Sequence, residues 1–294
     1  MESDVSAGSI HEEAVHHALM AERAAHFTWT HLEAEYTQDI DKVLATIATA
    51  EPLTWTLPEL VGDDGAATYL AGTDYQQIHD QYHALREFVE IHDWQALVEI
   101  RQSWYVMTHG VVTLKLKATG EFTRSQTVTM FPVGRDGILG EVQVGAVSRR
   151  LPPDPSDPDF WMAPDRLAAL AFHDTYIGAL RSGDVDAIVA ANRSNGAAAI
   201  RNYLTDESTV LNADSAAELG EYYRALYGRY AVRDIQLVNR VAESWYVFAE
   251  LHWTVEEQFG DRRTVHFCTA ETSTLDDDGR YWVRTGSGTD PVVV

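Results

Sequence analysis

The tetrapeptide Ser-Trp-Tyr-Val occurs twice in this chain, at positions 103–106 and again at positions 244–247. The two copies lie 141 positions apart in a chain of 294 residues. Trp and Tyr are uncommon residues, so two copies separated by nearly half the chain length indicate a duplication. Units of roughly 140 residues are too long for solenoid repeats and have the size of complete domains. The repeat therefore predicts two tandem domains of similar architecture.

Other segments repeat in the same order on both sides of the tetrapeptide. Residues 82–85 match residues 223–226, and Asp93 matches Asp234. Residues 38–43 match residues 183–188, and residues 134–137 match residues 276–279. The first two matches need no gap, and the last two need small gaps. This shared order indicates that a whole domain was duplicated.

A proline-rich segment marks the predicted boundary between the two domains. Four of the nine prolines fall between positions 152 and 158, and Pro164 follows. Proline fixes φ and removes a backbone donor, so such a run stays extended. We predict a first domain over residues 1–147 with an N-terminal helical extension, a linker over residues 148–164, and a second domain over residues 165–294.

Composition narrows the class of protein and of partner. The formal net charge is −23, and Lys and Arg form no cluster. Nucleic acids and anionic membranes are bound through clustered basic side chains, so we expect neither as a partner. We see no apolar run long enough for a membrane span and no secretory leader, which favours a cytoplasmic location. The single cysteine, Cys268, excludes an internal disulfide and a cysteine metal cluster.

Each half shows helix patterns followed by strand patterns. Apolar residues recur at helical spacing over residues 9–36, 40–48 and 75–89, and over residues 163–180, 185–192 and 215–227. Strand patterns follow over residues 96–117, 123–133 and 138–147, and over residues 235–257, 263–275 and 281–285. Asp39 and Asp184 stand at the cap positions of the second helices. This order predicts the α+β class, with three helices packed on a mainly antiparallel sheet in each half.

The segments that join the first two helices carry a resemblance to a known superfamily. They are residues 37–43 and residues 182–188, and the turn at residues 69–72 and the Asp-Gly turns between late strands fit the same pattern. On these residues, each half resembles the NTF2-like, SnoaL-like or ketosteroid-isomerase-like superfamily. The resemblance implies a curved sheet wrapped around a long helix, giving a cone with a hydrophobic pocket. Members are commonly dimers, so a pseudo-dimer within one chain is expected, with a further homodimer left open.

The activities of this superfamily are diverse, and fold alone does not give function. They include isomerases, dehydratases, cyclases, epoxide hydrolases and binding domains without activity. The Asp general base of ketosteroid isomerases corresponds to Trp55 in the first half and to Ile200 in the second, neither of which exchanges a proton. Epoxide hydrolases of the superfamily use an Asp-Arg-Asp arrangement. Glu99 and Arg101 lie near it here, without a matching third acid.

Dehydratase-like members of the superfamily pair a His after the third helix with an Asp on the first helix. His92 occupies that junction, and Glu33, Glu35 or Tyr36 lies where the Asp is expected. In the second half Arg233 stands in place of His92. The resemblance therefore places His chemistry in the first half alone.

We predict His92 as a general base, with His31, Tyr105 and His109 as donors or orienting groups. Tyr105 and His109 share one strand face, which would line the pocket if it is concave and a domain interface if it is convex. The side chains predicted to contact a ligand are Trp29, Trp55, Tyr36, Trp104, Tyr176, Tyr246, Glu250 and His252. We predict no metal and no cofactor, because we find no dinucleotide glycine fingerprint, phosphate loop or compact ligand set.

Two functions remain open from the sequence. The first is a cofactor-independent enzyme that moves protons on a small hydrophobic molecule in an apolar pocket, as an isomerase, dehydratase or cyclase, with activity expected in the first domain. The second is a non-catalytic protein that binds a small ligand or serves as a scaffold.

Overall fold

The computed structural model describes residues 7–49, 55–61, 67–145, 165–202, 207–211 and 215–294. The chain divides into two compact units, one of residues 1–55 and 72–141 and the other of residues 56–71 and 142–294. The predicted linker lies outside the described residues, so the predicted domain boundaries stay a prediction. Within the described residues, none of the helices combines the length and apolar character that a membrane span requires.

The first half contains three helices and six strands. In chain order they are α1 (Ala7–Tyr36), α2 (Ile40–Ala45), β1 (Trp55–Val61), β2 (Ala67–Gly72), α3 (Tyr75–Phe88), β3 (Val89–Arg101), β4 (Tyr105–Leu116), β5 (Phe122–Pro132) and β6 (Val142–Gly145). The sheet order is β2-β1-β6-β5-β4-β3. The contact between β1 and β6 is parallel, whereas the long strands β3, β4 and β5 pair antiparallel.

The second half repeats this order. Its elements are α4 (Asp165–Ser182), α5 (Val185–Ala190), β7 (Asn192–Asn202), β8 (Glu207–Leu211), α6 (Ser215–Arg229), β9 (Tyr230–Ala242), β10 (Tyr246–Glu257), β11 (Thr264–Leu275), β12 (Tyr281–Gly288) and β13 (Val292–Val293). The sheet order is β8-β7-β12-β11-β10-β9, with β13 beside β11. The predicted α+β class, with helices packed on a mainly antiparallel sheet in each half, is confirmed.

The sequence patterns miss the hairpin strands β1–β2 and β7–β8, and they wrongly join β3 to β4 and β9 to β10 as single strands over residues 96–117 and 235–257. β1 contains Pro58, and β7 contains Gly196 and an Ala run. These residue types are depleted in strands. Pairing with β6 and β12 nevertheless places these segments in the sheets. The third first-half strand was predicted from Ile138, but β6 begins at Val142 because Ile138 forms only isolated bridges.

The turn between the first two helices has the same conformation in both halves. Gln38 and Gly183 both have positive φ, at 61° and 67°, and the next residue donates its amide to a carbonyl of the preceding helix. Asp39 and Asp184 then cap α2 and α5 by accepting backbone hydrogen bonds, as the sequence predicts. A left-handed Gln is strained where Gly is not. The Gln38 side chain also donates to the Ile91 carbonyl of β3 at 3.2 Å.

One face of each sheet packs against the long helix of the same half. In the first half Val106 of β4 and Phe131 of β5 lie opposite each other and form a buried cluster with Ala24 and Ala25 of α1. Alternate residues of a strand point to opposite faces. Tyr105 therefore points away from α1, and the helix-facing side of β4 is the one that contains Val106.

The segment before β6 is held against the end of α2. Ile138 donates its amide to the Thr46 carbonyl at 2.9 Å, and its own carbonyl accepts from the Ala48 amide at 2.9 Å. A Cβ at Gly137 would lie 2.5 Å from the Thr46 carbonyl oxygen, a distance that real side chains do not adopt. This close approach fixes the position of Thr46, whose hydroxyl lies 2.7 Å from the Nδ1 atom of His31 on α1.

We expect Gly137→Ala to lower the free energy of unfolding by about 1–3 kcal/mol, because the added carbon must push the Thr46 backbone away. Urea unfolding measures this change. Gly178→Ala in α4 is the control, because its Cβ meets no atom within 4 Å and should stabilise the helix by about 0.5–1 kcal/mol. Equal stability of the wild type and Gly137→Ala would contradict the close packing.

Candidate functional site

Two helices of the first half place four ionisable side chains face to face. His31 and Glu35 are four residues apart on α1, and Tyr82 and Arg86 are four residues apart on α3, so each pair shares one helix face. The Nε2 atom of His31 lies 3.0 Å from the Tyr82 hydroxyl, and a carboxylate oxygen of Glu35 lies 3.9 Å from an Arg86 guanidinium nitrogen. We call these four residues and Glu141 the His31 cluster.

Glu141 precedes β6 and is buried. Its Oε2 atom accepts hydrogen bonds from the Tyr82 hydroxyl at 2.6 Å and from the Trp55 indole at 3.1 Å, and it lies 3.9 Å from His31 Nε2. Burial by itself raises the pKa of Glu141, but the neighbouring imidazolium of His31, together with the hydrogen bonds from Tyr82 and Trp55, lowers it below its ordinary value. The carboxyl is therefore ionised.

Hydrogen-bond donors and acceptors around His31 show that both of its nitrogens carry protons. The Thr46 hydroxyl donates to the Val43 carbonyl at 2.6 Å, so it can only accept from His31 Nδ1 at 2.7 Å. The Tyr82 hydroxyl donates to the Glu141 carboxylate, so it accepts from Nε2. His31 is an imidazolium in this arrangement.

The direction of the pKa shift of His31 agrees with this protonation. Burial lowers the pKa of His31, but the Glu141 carboxylate, with a smaller effect of the Glu35 charge, raises it above its ordinary value. An imidazolium that is bonded to Thr46 and Tyr82 on its two sides has a fixed orientation. His31 therefore places a positive charge beside the Glu141 carboxylate in the core of the first half.

Glu35 is the group in the cluster that exchanges a proton near neutral pH. Its side chain is only 12 % exposed. Burial and, next, repulsion by the Glu141 carboxylate raise the pKa of Glu35 to about 7, against the opposing charges of His31 and Arg86. A carboxyl with this pKa is poised to accept or donate a proton at physiological pH.

The oxygen and nitrogen atoms of His31, Glu35 and Glu141 that could bind a metal lie within 4.8 Å of one another. A histidine ligand must offer a nitrogen lone pair to the ion. Both nitrogens of His31 donate hydrogen bonds instead. The arrangement fits proton exchange better than metal binding, and the absence of a metal stays a prediction.

The second half fills the corresponding positions with different chemistry. Tyr176 takes the place of His31 and Tyr223 that of Tyr82, and their hydroxyls lie 2.9 Å apart. The buried Arg284 donates to the Tyr176 hydroxyl at 2.6 Å and to Glu271 at 2.5 Å. Burial raises the pKa of both tyrosines above the ordinary value. This cluster is a fixed ion pair with phenols rather than a proton-exchanging site.

The structure brings two of the predicted site residues together and separates the other first-half candidates. His31 and Trp55 both belong to the buried network around Glu141. His92 is exposed on β3, with its ring 4.9 Å from that of Phe122, and Tyr36 is exposed at the end of α1. Their predicted roles stay predictions, but neither joins the His31 cluster.

Tyr105 and His109 lie on the face of β4 that points away from α1, and their predicted place in a pocket or at a domain interface stays a prediction. His109 is buried and bonded to Gln126 at 2.8 Å. Burial lowers the pKa of His109 to about 4, which keeps it neutral. Trp104 packs on Tyr105, and Trp29 donates to Glu99 at 3.1 Å.

The second-half candidates fall into two groups. Tyr176 belongs to the Arg284 ion-pair cluster. Tyr246, Glu250 and His252 alternate on one face of β10, opposite the face on which Leu251 joins the helix-packed core. Glu250 accepts from Asn239 at 2.6 Å and lies 2.9 Å from His252 Nε2.

Sequence reasoning passed over three members of the cluster. Tyr82 stands in a repeated segment, which was read as a sign of duplication and not of chemistry. Arg86 follows it by one helical turn, a spacing that could have signalled a shared polar face. Glu141 carries no local signal, because its position depends on the path of the chain between β5 and β6.

No protein-family model matches the sequence, and no curated protein matches it. Among solved structures, the chain is similar to the epoxide hydrolase/cyclase-like enzyme SalBIII, with 19% identity, a TM-score of 0.36 and coverage of 44% of this chain and 98% of that chain. The chain is also similar to an LEH-like epoxide hydrolase of M. tuberculosis, with 16% identity, a TM-score of 0.34 and coverage of 43% of this chain and 86% of that chain. A ketosteroid isomerase-like protein of Erwinia carotovora atroseptica is similar with 14% identity, a TM-score of 0.35 and coverage of 44% of this chain and 99% of that chain. Each likeness covers less than half of this chain and concerns its fold alone.

The raised pKa of Glu35 predicts how stability depends on pH. The folded state binds this proton more tightly than the unfolded state does, so the stabilisation is complete below pH 4.5 and is lost as the pH rises to about 7. Glu35→Gln removes the titration. Between pH 4.5 and pH 8 we expect its free energy of unfolding to improve relative to wild type by about 1–3 kcal/mol.

Urea unfolding at several pH values measures this difference. Glu33→Gln, on the exposed side of the same helix, is the matched control and should show no comparable trend with pH. A difference between Glu35→Gln and wild type that does not change over this pH range would contradict the buried proton.

Proposed function

We propose that the first half is a cofactor-independent enzyme that transfers a proton on a small apolar molecule, as an isomerase, dehydratase or cyclase does. The observation that carries this proposal is the buried Glu35 carboxyl, whose pKa is raised to about 7 beside a charged His31 and Arg86. Strongly shifted acidities of this kind concentrate at catalytic sites.

Glu35 is the proton acceptor and donor in this proposal. A carboxylate in a dry site is a stronger base than one in water, because nothing solvates its charge. Its nearest guanidinium nitrogen lies 3.9 Å away, a distance longer than a hydrogen bond. The Glu35 carboxylate takes a proton from an acidic C–H or O–H of the substrate and returns it at a second atom.

His31 and Tyr82 supply the electrostatic part of the mechanism. Negative charge that develops on the substrate is stabilised by a fixed positive charge more strongly in a buried site than in water. His31 is held in place by Thr46 and Tyr82, and Glu141 keeps it protonated. These groups are positioned before the reaction and need not reorganise during it.

Aromatic side chains surround the polar cluster and support the choice of an apolar substrate. The ring of Phe131 lies 5.6 Å from that of His31, and the ring of Trp55 lies 5.3 Å from that of Tyr82. Both aromatic residues are buried. Their surfaces exclude water and would pack against a hydrophobic molecule.

A non-catalytic ligand-binding or scaffolding protein is the second candidate. It is favoured by the fact that both nitrogens of His31 are already bonded within the protein. A buried polar network that is fully satisfied can specify a core without doing chemistry. The two candidates differ in whether Glu35 exchanges its proton with a bound molecule.

Deuterium exchange distinguishes them. We incubate the protein in D2O with 2-indanone and 2-tetralone, two neutral apolar ketones with acidic C–H groups, and follow deuterium incorporation by NMR. We expect wild-type protein to accelerate exchange, and Glu35→Gln to reduce the acceleration by about 100-fold or more. The rate should rise as the pH increases through about 7, because the ionised Glu35 is the base.

The matched controls come from the second half. Glu243→Gln removes another buried carboxyl whose pKa burial raises to about 7, and His173→Asn removes another buried histidine. Both should keep the exchange rate, whereas His31→Asn should lose it. Exchange that survives in a folded Glu35→Gln protein, or that wild type never accelerates, would favour the non-catalytic candidate.

A further inference from the structure

The guanidinium of Arg86 is buried with part of its hydrogen-bonding capacity unused. Its Nη2 atom donates to the Glu35 backbone carbonyl at 3.0 Å. Nε and Nη1 are also buried, yet no acceptor among the described residues lies within hydrogen-bond distance of either. Buried donors of a charged group that stay unsatisfied destabilise the folded protein. An acceptor from outside the chain would remove this cost.

The buried arginine of the second half shows the contrast. Arg284 donates to Tyr176 and to Glu271, and its Nη1 approaches the Asn192 side chain at 3.4 Å. The protein's own oxygen atoms accept from both terminal nitrogens of that guanidinium. In the first half, the carboxylate nearest to Arg86 is 3.9 Å away.

We propose that the molecule handled by the His31 cluster carries a carboxylate, and that Arg86 binds it. This inference rests on the proposed function of the same site and names its class of substrate. Arginine is always charged, and its N–H groups match carboxylate oxygens in geometry and charge. The apolar remainder of the substrate would pack against Phe131 and Trp55.

The charges around Glu35 add a consequence that can be measured. Glu35 is faced by His31 from its own helix, by Tyr82 and Arg86 from α3, and by Glu141 from the segment before β6. With His31 and Arg86 charged and both glutamates ionised, the cluster is neutral. A bound carboxylate would make it negative unless Glu35 takes up a proton. Above neutral pH, carboxylate binding should therefore be accompanied by the uptake of about one proton.

The net charge of −23 bears on how this protein could select an anionic ligand. The surface charge repels anions, but salt screens this repulsion at distances beyond about 10 Å. A buried guanidinium beside an imidazolium acts below that distance in a low-dielectric core. Selection for a carboxylate is thus made by Arg86 and not by the surface of the protein.

Isothermal titration calorimetry of the full chain tests the proposal. The probes are benzoate, phenylacetate and cyclohexanecarboxylate, with benzyl alcohol as the uncharged counterpart. We expect at least one carboxylate to bind and benzyl alcohol to bind more weakly by about 10-fold or more. Titration at pH 8 in buffers of different ionisation enthalpy should give an uptake of about one proton, and little uptake below pH 5.

Variants assign the binding to Arg86. Arg86→Met should weaken the dissociation constant by about 10- to 100-fold. Arg86→Lys keeps the charge without the planar N–H groups and should give an intermediate loss if Arg86→Met does not fold. Arg181→Met is the control, because that guanidinium donates only to the Ile235 carbonyl among the bonds we describe, and it should bind as wild type does. Glu35→Gln should still bind the probe but without proton uptake.

The outcomes separate this inference from the proposed function. If none of the three carboxylates binds in an Arg86-dependent manner while ketone exchange proceeds, the carboxylate site is wrong and the proton-transfer function stands. If a carboxylate binds through Arg86 but no ketone or carboxylate probe exchanges a proton, the site is real and the catalytic proposal is wrong. Binding that is equal in wild type and Arg86→Met overturns the inference.

Discussion

Four ionisable side chains meet between α1 and α3 in the core of the first half, and the Glu141 carboxylate beside them cancels the remaining charge when His31 carries two protons and Glu35 is ionised. Removing a charge from water costs several kcal/mol, so such a group persists in a core only when partners compensate it. Here the Tyr82 hydroxyl stands between His31 and Glu141 and bonds to both. The positions of the two helices, of the end of α2 and of the segment before β6 all depend on this arrangement, because each supplies one of its members.

The duplicated halves show that one fold can support two chemistries at the same place. In the second half a tyrosine replaces the histidine, and an arginine–glutamate pair neutralises itself within the core. Burial raises the pKa of both phenols in that cluster, which keeps them protonated at neutral pH. In the first half Glu35 can gain or lose a proton near neutral pH, because its pKa is raised to about 7. The divergence lies in which groups titrate and not in the backbone that carries them.

The sequence predicted the parts of this protein that depend on local or repeated patterns. The duplication, the α+β order, and the caps at Asp39 and Asp184 follow from residue types and their spacing. The hairpins β1–β2 and β7–β8 did not, because pairing in the sheet overrides their weak propensity. Of the residues around Glu141, the sequence predicts His31 and Trp55 as site residues, and Glu35 only as one of three candidates near the position of the expected Asp. Glu141 and Arg86 meet them through tertiary packing, which no short-range pattern records.

The left-handed Gln38 has a bearing on where the first half could change in length during evolution. Its glycine counterpart in the other half tolerates that backbone shape freely, whereas the glutamine adopts it while its amide grips the Ile91 carbonyl. The last turn of α1, which carries Glu35, is thereby tethered to the first strand of the long antiparallel ladder. An insertion at this joint would break the hydrogen bond that links the end of α1 to β3. We therefore expect related chains to differ in length more often at the connections between strands than at the joint between α1 and α2.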